Sequence, residues 1–169
     1  AVSVKKLLPH ATVIASDVSR RALSLAEKNA THLLGASHGI VFLQGSLLTL
    51  DIQKLLISKQ TKTLLVLANL PYLPLSDRQV LQKDVVDFEP HQALFTTEHG
   101  NTLIVKLMKQ VARFLTHHPV DIQMMFEFDP LQAERLRRLA KDIFPTSIIE
   151  VCRDGCGRER FLTITLNKI

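Results

Sequence analysis

The chain has 169 residues, one domain's worth, of which 46% are hydrophobic and 22% charged; that balance can bury a core and excludes a disordered chain. A formal net charge of +5 permits an acidic partner without demanding one, because no basic run accompanies it. No apolar stretch approaches the roughly 20 residues of a membrane span, and Ala1–His10 carries no secretion signal. Two cysteines, Cys152 and Cys156, exclude a disulfide scaffold and have the wrong spacing for a zinc knuckle, so a reducing, cytoplasmic setting is expected.

The chain alternates short β-rich runs with helical ones. Thr12 to Ala15 is a short apolar run leading to Asp17. Ser19 is placed to cap the next helix, with Ala22, Leu25, Ala26, Ala30 and Leu33 spaced as its buried face. Gly35 and Gly39 punctuate its end. Ile40 to Leu43 is the next strand, and Asp51 is placed to cap a short helix carrying Ile52, Leu55 and Leu56. Thr63 to Ala68 reads TLLVLA. It is apolar after its first residue, which predicts a strand buried on both faces of a parallel sheet.

Asn101 to Leu115 is the clearest amphipathic helix, with Leu103, Ile104, Leu107, Met108, Val111, Phe114 and Leu115 in one stripe. Val120 to Phe128 is a strand. Asp129 then caps a helix with Pro130 at its first position and Leu136, Leu139, Ala140 and Ile143 on its buried face. Ser147 to Cys152 and Phe161 to Leu166 are the last strands, and alternation in the second predicts a hairpin at the sheet's end. Strand and helix in alternation predict an α/β fold, a parallel sheet with helices on both faces and its ligand beyond the carboxyl ends of the strands. Two strand ends therefore stand out, Asp17 and Asn69.

A carboxylate at the position of Asp17 can accept hydrogen bonds from both hydroxyls of a ribose; the competing reading is a helix cap shared with Ser19. Asn69-Leu70-Pro71-Tyr72 directly follows the most apolar strand. An Asn side chain offers two donors and one acceptor oxygen. Pro71 fixes its own φ and holds Leu70 out of helical geometry, so the Leu70 carbonyl can point into a cleft. Tyr72 offers a flat face for a planar group. Such a grip suits an amide or amine NH2: two acceptors take its hydrogens, and the lone pair is aimed at an electrophile by orientation alone. A proline turn with a buried Tyr is the competing reading, and spacing alone favours it.

The stretch NLPYLPLSDRQVLQKDVVDFEPHQALF resembles the HemK/PrmC family of protein-(glutamine) methyltransferases, which methylate the Gly-Gly-Gln glutamine of peptide-chain release factors. The family's tetrapeptide is usually Asn-Pro-Pro-Tyr, followed by Phe-Glu-Pro-x-x-Ala-Leu, here Phe88, Glu89, Pro90, Ala93 and Leu94. Glu127 and Gln132 echo a family strand–helix junction, and Arg153, Asp154, Gly155, Arg158 and Arg160 echo its closing hairpin. The resemblance runs over nearly the whole chain. It implies a Rossmann-like class I fold using S-adenosyl-L-methionine, with a release factor as protein substrate and no metal. Asp17 would bind the ribose of that cofactor, and Ser46 and Leu47, after Gln44-Gly45, would lie near its adenine. Asn69 would touch both cofactor and glutamine amide, and Leu70, Pro71 and Tyr72 would complete the amide pocket. Glu89 and Pro90 would brace the loop that carries it.

The sequence departs from the family pattern in three ways. The glycine-rich loop that follows the family's first strand has no counterpart: of Gly35, Gly39, Gly45, Gly100, Gly155 and Gly157, none precedes Asp17. The resemblance thus implies that residues 1–169 are a single methyltransferase catalytic domain, N-terminally incomplete, lacking the first strand, that loop and the small helical domain before them. Leu70 replaces the first proline of the tetrapeptide, and Ser46 stands where the family often has an acidic residue. Two other functions share some of these features. Adenine-amino methyltransferases of DNA or RNA carry the same tetrapeptide and would stack a flipped base on Tyr72, although Phe88 to Leu94 does not fit them. A non-catalytic remnant that only binds a partner fits the missing loop and Leu70. His10, His32, His38, His91, His99, His117 and His118 are expected to be solvated, Ser58, Ser76 and Ser147 lie in no nucleophile elbow, and Arg135, Arg137 and Arg138 are expected to form a solvated face.

Overall fold

The computed structural model describes residues 1–74, 95–96 and 100–168. The chain gathers into two compact units, Ala1–Lys59 and Gln60–Ile169. The first opens with a short helix α1 (Val2–Leu7), which the sequence reading did not anticipate, and continues through β1 (Val13–Asp17), α2 (Arg20–Leu34), β2 (Ile40–Gln44) and α3 (Leu50–Ser58). Strands β1 and β2 pair in parallel from Val13↔Ile40 to Asp17↔Gln44, the arrangement a β-α-β crossover requires.

Local chemistry sets these boundaries. Ser19 caps α2, its Oγ accepting the Ala22 N–H at 3.2 Å, and Gly35 closes the helix at φ 86°. The buried side of α2 is rotated from the expected one: Ala30 is fully buried and Leu23, Ala26 and Leu34 are half-buried, while Leu25 and Leu33 face solvent. The reason is the small core of Val13, Ala30 and Ile40, against which Leu34, Ala15 and Phe42 pack. Thr49, not Asp51, caps α3 by accepting the Ile52 N–H; Asp51 sits in the first turn, where its charge suits the helix dipole. His38 is also corrected. It is buried, its Nδ1 accepts the Ile40 N–H at 3.0 Å, and its Nε2 lies 3.4 Å from Glu27.

The second unit is built on a mixed sheet. Its elements are β3 (Thr63–Ala68), β4 (Leu73–Pro74), β5 (Phe95–Thr96), α4 (Thr102–His117), β6 (Asp121–Glu127), a 3-10 turn (Pro130–Gln132), α5 (Ala133–Ile143), β7 (Ile148–Arg153) and β8 (Glu159–Leu166). Among the described residues, a four-stranded sheet runs β3-β6-β8-β7. β3 and β6 are parallel, and β6–β8 and β8–β7 are antiparallel. The expected hairpin is present, but its alternating second strand is not at the sheet's end as expected: β8 lies inside, between β6 and β7, and β7 forms the edge. β4 and β5 form a separate two-residue parallel pair. Phe88, Glu89, Pro90, Ala93, Leu94, His91, His99 and Ser76 lie outside the described residues.

One face of this sheet makes the core. Ile122, Met124 and Phe126 of β6 and Leu162 and Ile164 of β8 are essentially inaccessible, as are Ile104, Met108 and Val111 of α4 and Leu136 of α5. Of the stripes expected on α4 and α5, Ile104, Leu107, Met108, Val111, Phe114, Leu136 and Ala140 are buried, with Ala133 added, while Leu103, Leu115, Leu139 and Ile143 are half-buried. β3 differs from expectation. Its exposure alternates, and Leu65 and Leu67 are 45% and 50% exposed. Register puts Leu67 beside Met125, itself exposed, so both lie on the sheet's uncovered face. Asp129 caps the 3-10 turn, its Oδ1 accepting the Leu131 N–H at 2.9 Å, and α5 proper begins only at Ala133. Arg135, Arg137 and Arg138 are exposed as expected.

Truncating Phe126 to Ala should cost about 3–5 kcal/mol, because it leaves a cavity between β6 and its neighbours. The same change at Leu131, 95% exposed, should stay within about 0.5 kcal/mol. Urea denaturation of both variants tests this.

Candidate functional site

The sequence-derived site residues fall in two places, one in each unit. In the first unit, β1 and β2 end side by side. Asp17 is exposed, and its Oδ1 accepts the Ser19 N–H at 2.7 Å. The helix cap itself is the Ser19 hydroxyl, so Asp17 closes a turn with one oxygen and is not consumed as the cap. The Gly45 N–H donates to the Asp17 carbonyl at 3.0 Å. Arg20 Nε donates to Gln44 Oε1 at 3.0 Å, and Gln44 Nε2 donates to the Val18 carbonyl at 3.1 Å. The turn after β2 is thereby tied to the turn after β1. Ser46 is exposed, and Leu47 adopts a left-handed φ of 61°. A leucine there stores about 1 kcal/mol of strain.

In the second unit, Asn69 follows the last residue of β3 and is exposed, while Leu70, Pro71 and Tyr72 are half-buried. Tyr72 is held at both ends. Its hydroxyl donates to Glu127 Oε1 at 3.3 Å, and its carbonyl accepts from Gln132 Nε2 at 2.7 Å. Gly100, buried at φ 70°, makes room: a Cβ there would collide with both Gln132 Nε2 and the Tyr72 carbonyl. Burial raises the Tyr72 phenol above its ordinary pKa of 10.0, and the Glu127 charge adds to the rise; Arg160 opposes it, and Asp129 contributes weakly in the same direction as Glu127.

Arg160 comes from the closing hairpin. There Asp154 Oδ1 accepts the backbone N–H groups of Cys156 and Arg158, at 2.9 and 3.0 Å. Asp154 Oδ2 lies 3.1 Å from Arg158 Nε and 3.9 Å from Arg160 Nε. These bonds, the Arg158 N–H first, hold the Asp154 carboxyl below the usual range. Among the described residues no group of His, Cys, Asp and Glu side chains could hold a metal ion, and no helix is long and apolar enough to cross a membrane.

Sequence reading had singled out Glu127, Gln132 and Arg160 only as echoes of a family pattern. The bonds of Glu127 and Gln132 to Tyr72, the charge of Arg160 acting on it and the role of Gly100 emerge only from the fold. A glycine directly before a long amphipathic helix was the one available signal.

Tyr72 is the chain's single tyrosine, and there is no tryptophan, so absorbance near 295 nm reads its ionisation alone. The midpoint should lie above 10, and Glu127→Gln should lower it. Because the fold favours the neutral phenol, Tyr72 contributes stability that is complete below pH 10 and declines as the pH rises through its folded midpoint. A midpoint at or below 10 would contradict this seat.

No protein-family model matches the chain. Curated relatives do. The release factor glutamine methyltransferase of Leptospira interrogans is 32% identical over 170 residues, covering 97% of this chain and 54% of the relative. Proteins of the same description from Staphylococcus aureus and Enterococcus faecalis are 30% and 31% identical, over 96% and 95% of this chain and 55% and 53% of their own. The chain thus spans about half the length of the curated relatives it matches. With an Asn-Leu-Pro-Tyr turn at the end of a parallel strand, the chain is similar along nearly its full length to release factor glutamine methyltransferases.

Proposed function

We propose that the chain carries the core of an enzyme that transfers a methyl group from S-adenosylmethionine to the side-chain nitrogen of the Gly-Gly-Gln glutamine of a release factor. The observation that carries this reading is the Asn69–Tyr72 turn at the carboxyl end of β3, its Tyr72 anchored to Glu127 and Gln132. On this reading the two compact units form one catalytic domain working in the cytoplasm.

The donor set beyond β1 and β2 fits the cofactor chemically. An exposed carboxylate at Asp17 suits two ribose hydroxyls, and the Ser46 hydroxyl and the strained Leu47 backbone suit an adenine. When bound, S-adenosylmethionine supplies an electrophilic methyl group on a sulfonium sulfur. What the chain's own residues do is hold the amide. Asn69 Oδ1 and the Leu70 carbonyl accept its two N–H groups, so the nitrogen lone pair is directed away from both. Pro71 restrains the turn, and the Tyr72 ring supplies a flat wall. Such positioning, without an initial acid or base, accounts for a large share of a rate enhancement. The missing proline at Leu70 weakens the preorganisation and leaves the acceptor carbonyl in place. Among the described residues β1 pairs only with β2, and β3 only with β6.

Incubation of the full chain with S-adenosylmethionine and a release factor should place a single methyl group on that glutamine, read by mass spectrometry. Asn69→Ala should lower the rate about a hundredfold or more while cofactor affinity and folding are kept. An Asn69→Ala variant as active as the parent would reject the assignment, and methylation of DNA or RNA adenine instead would reject the substrate.

A further inference from the structure

We propose that Gln132 is a positioning residue for the amide pocket: through its bond to the Tyr72 carbonyl, it sets the path of the Asn69–Tyr72 turn. This rests on the functional reading above and adds to it a residue outside the tetrapeptide.

The argument begins with an imbalance. Gln132 is only 8% exposed. Its Nε2 makes the 2.7 Å bond to Tyr72, while its Oε1 is buried with no hydrogen-bond partner among the described residues. A buried amide satisfied at one end costs stability, and a purely packing role would be better served by an apolar side chain of the same volume. The feature that sets glutamine apart here is the single donor it delivers to the Tyr72 main chain. Two neighbouring features serve that bond. Gly100 leaves open the space that a Cβ would take from both partners. The Asp129 cap shapes the 3-10 turn on which Gln132 sits, and the Gln132 N–H donates to the Asp129 carbonyl at 2.8 Å.

The bond is also well placed in the chain. The Tyr72 carbonyl lies two residues past the Leu70 carbonyl, with the stiff Pro71 between them. Fixing the far end of so short and restrained a segment fixes the near end too. The Glu127 contact restrains the ring of the same residue, so backbone and side chain of Tyr72 are held from two elements, β6 and the 3-10 turn.

Two variants separate positioning from packing. Gln132→Met keeps the volume and removes the donor; Gln132→Asn keeps the amide and removes the reach. Both should lower kcat for glutamine methylation about ten- to a hundredfold and change the cofactor dissociation constant less than about threefold. Their thermal midpoints should stay within about 4 °C of the parent's. In both, the absorbance titration of Tyr72 should move down toward 10, because a released turn lets the phenol leave its buried place beside Glu127. Asp129 and Arg160 also face that phenol and are unchanged. Parent-like kcat and an unmoved titration in either folded variant would overturn the proposal. The titration needs no catalysis. A parent protein with no methyltransferase activity would remove the functional reading, and an unmoved Tyr72 midpoint in the variants would separately remove the positioning role.

Discussion

The two ladders of β6 are the constraint from which the larger unit follows. Along one edge β6 pairs with β3 in parallel, and along the other with β8 antiparallel. Those registers put Ile122, Met124 and Phe126 on the side that forms the core. A slip by one residue would turn all three outward and bring Gln123 and Met125 in. The same registers assemble the site. Ala68 lies beside Phe126, and Glu127 beside Phe161, so the turn after β3, the carboxylate ending β6 and the arginine starting β8 meet at one end of the sheet. Chemistry-bearing residues far apart in sequence become neighbours because backbone hydrogen bonds count residues accurately.

Around Tyr72 the structure sets local stability against geometry. A half-buried phenol beside a carboxylate favours its neutral, donating form, and Arg160 keeps that carboxylate from acting unopposed. Gln132 gives up the pairing of its own oxygen. Leu47, in the other unit, holds a backbone conformation that glycine would adopt more cheaply. Each is a local cost that the rest of its unit must offset.

Much of the architecture was legible in the sequence, because periodicity and caps are local. The α4 stripe, the hairpin and the Ser19 cap needed only spacing and side-chain chemistry. The misread faces share one origin: a face is buried only if something covers it. The apolar run of β3 reads as fully internal, yet Leu65 and Leu67 on its second face are exposed; Leu25 and Leu33 are as apolar as Leu23 and Leu34, and the direction of the β1–β2 sheet decides between them. Thr49 took the cap from Asp51 because the chain entered the helix two residues earlier than composition suggested. Asp17 in one unit and the tetrapeptide in the other were visible as strand ends. The supports of Tyr72 were not, since residues 60 positions away are linked only by the fold.

Among the described residues β1 and β3 each have one edge without a partner strand, and that has a consequence for handling the protein. A row of unpaired N–H and C=O groups does not discriminate between one extended chain and another. At β3 that edge adjoins Leu65 and Leu67, both exposed, so hydrogen-bonding capacity and apolar surface coincide. Two copies of the chain could therefore pair edge to edge and bury the same leucines. Self-association would rise with concentration, and fusing or co-expressing a complementary strand should keep the chain monodisperse by occupying the template first.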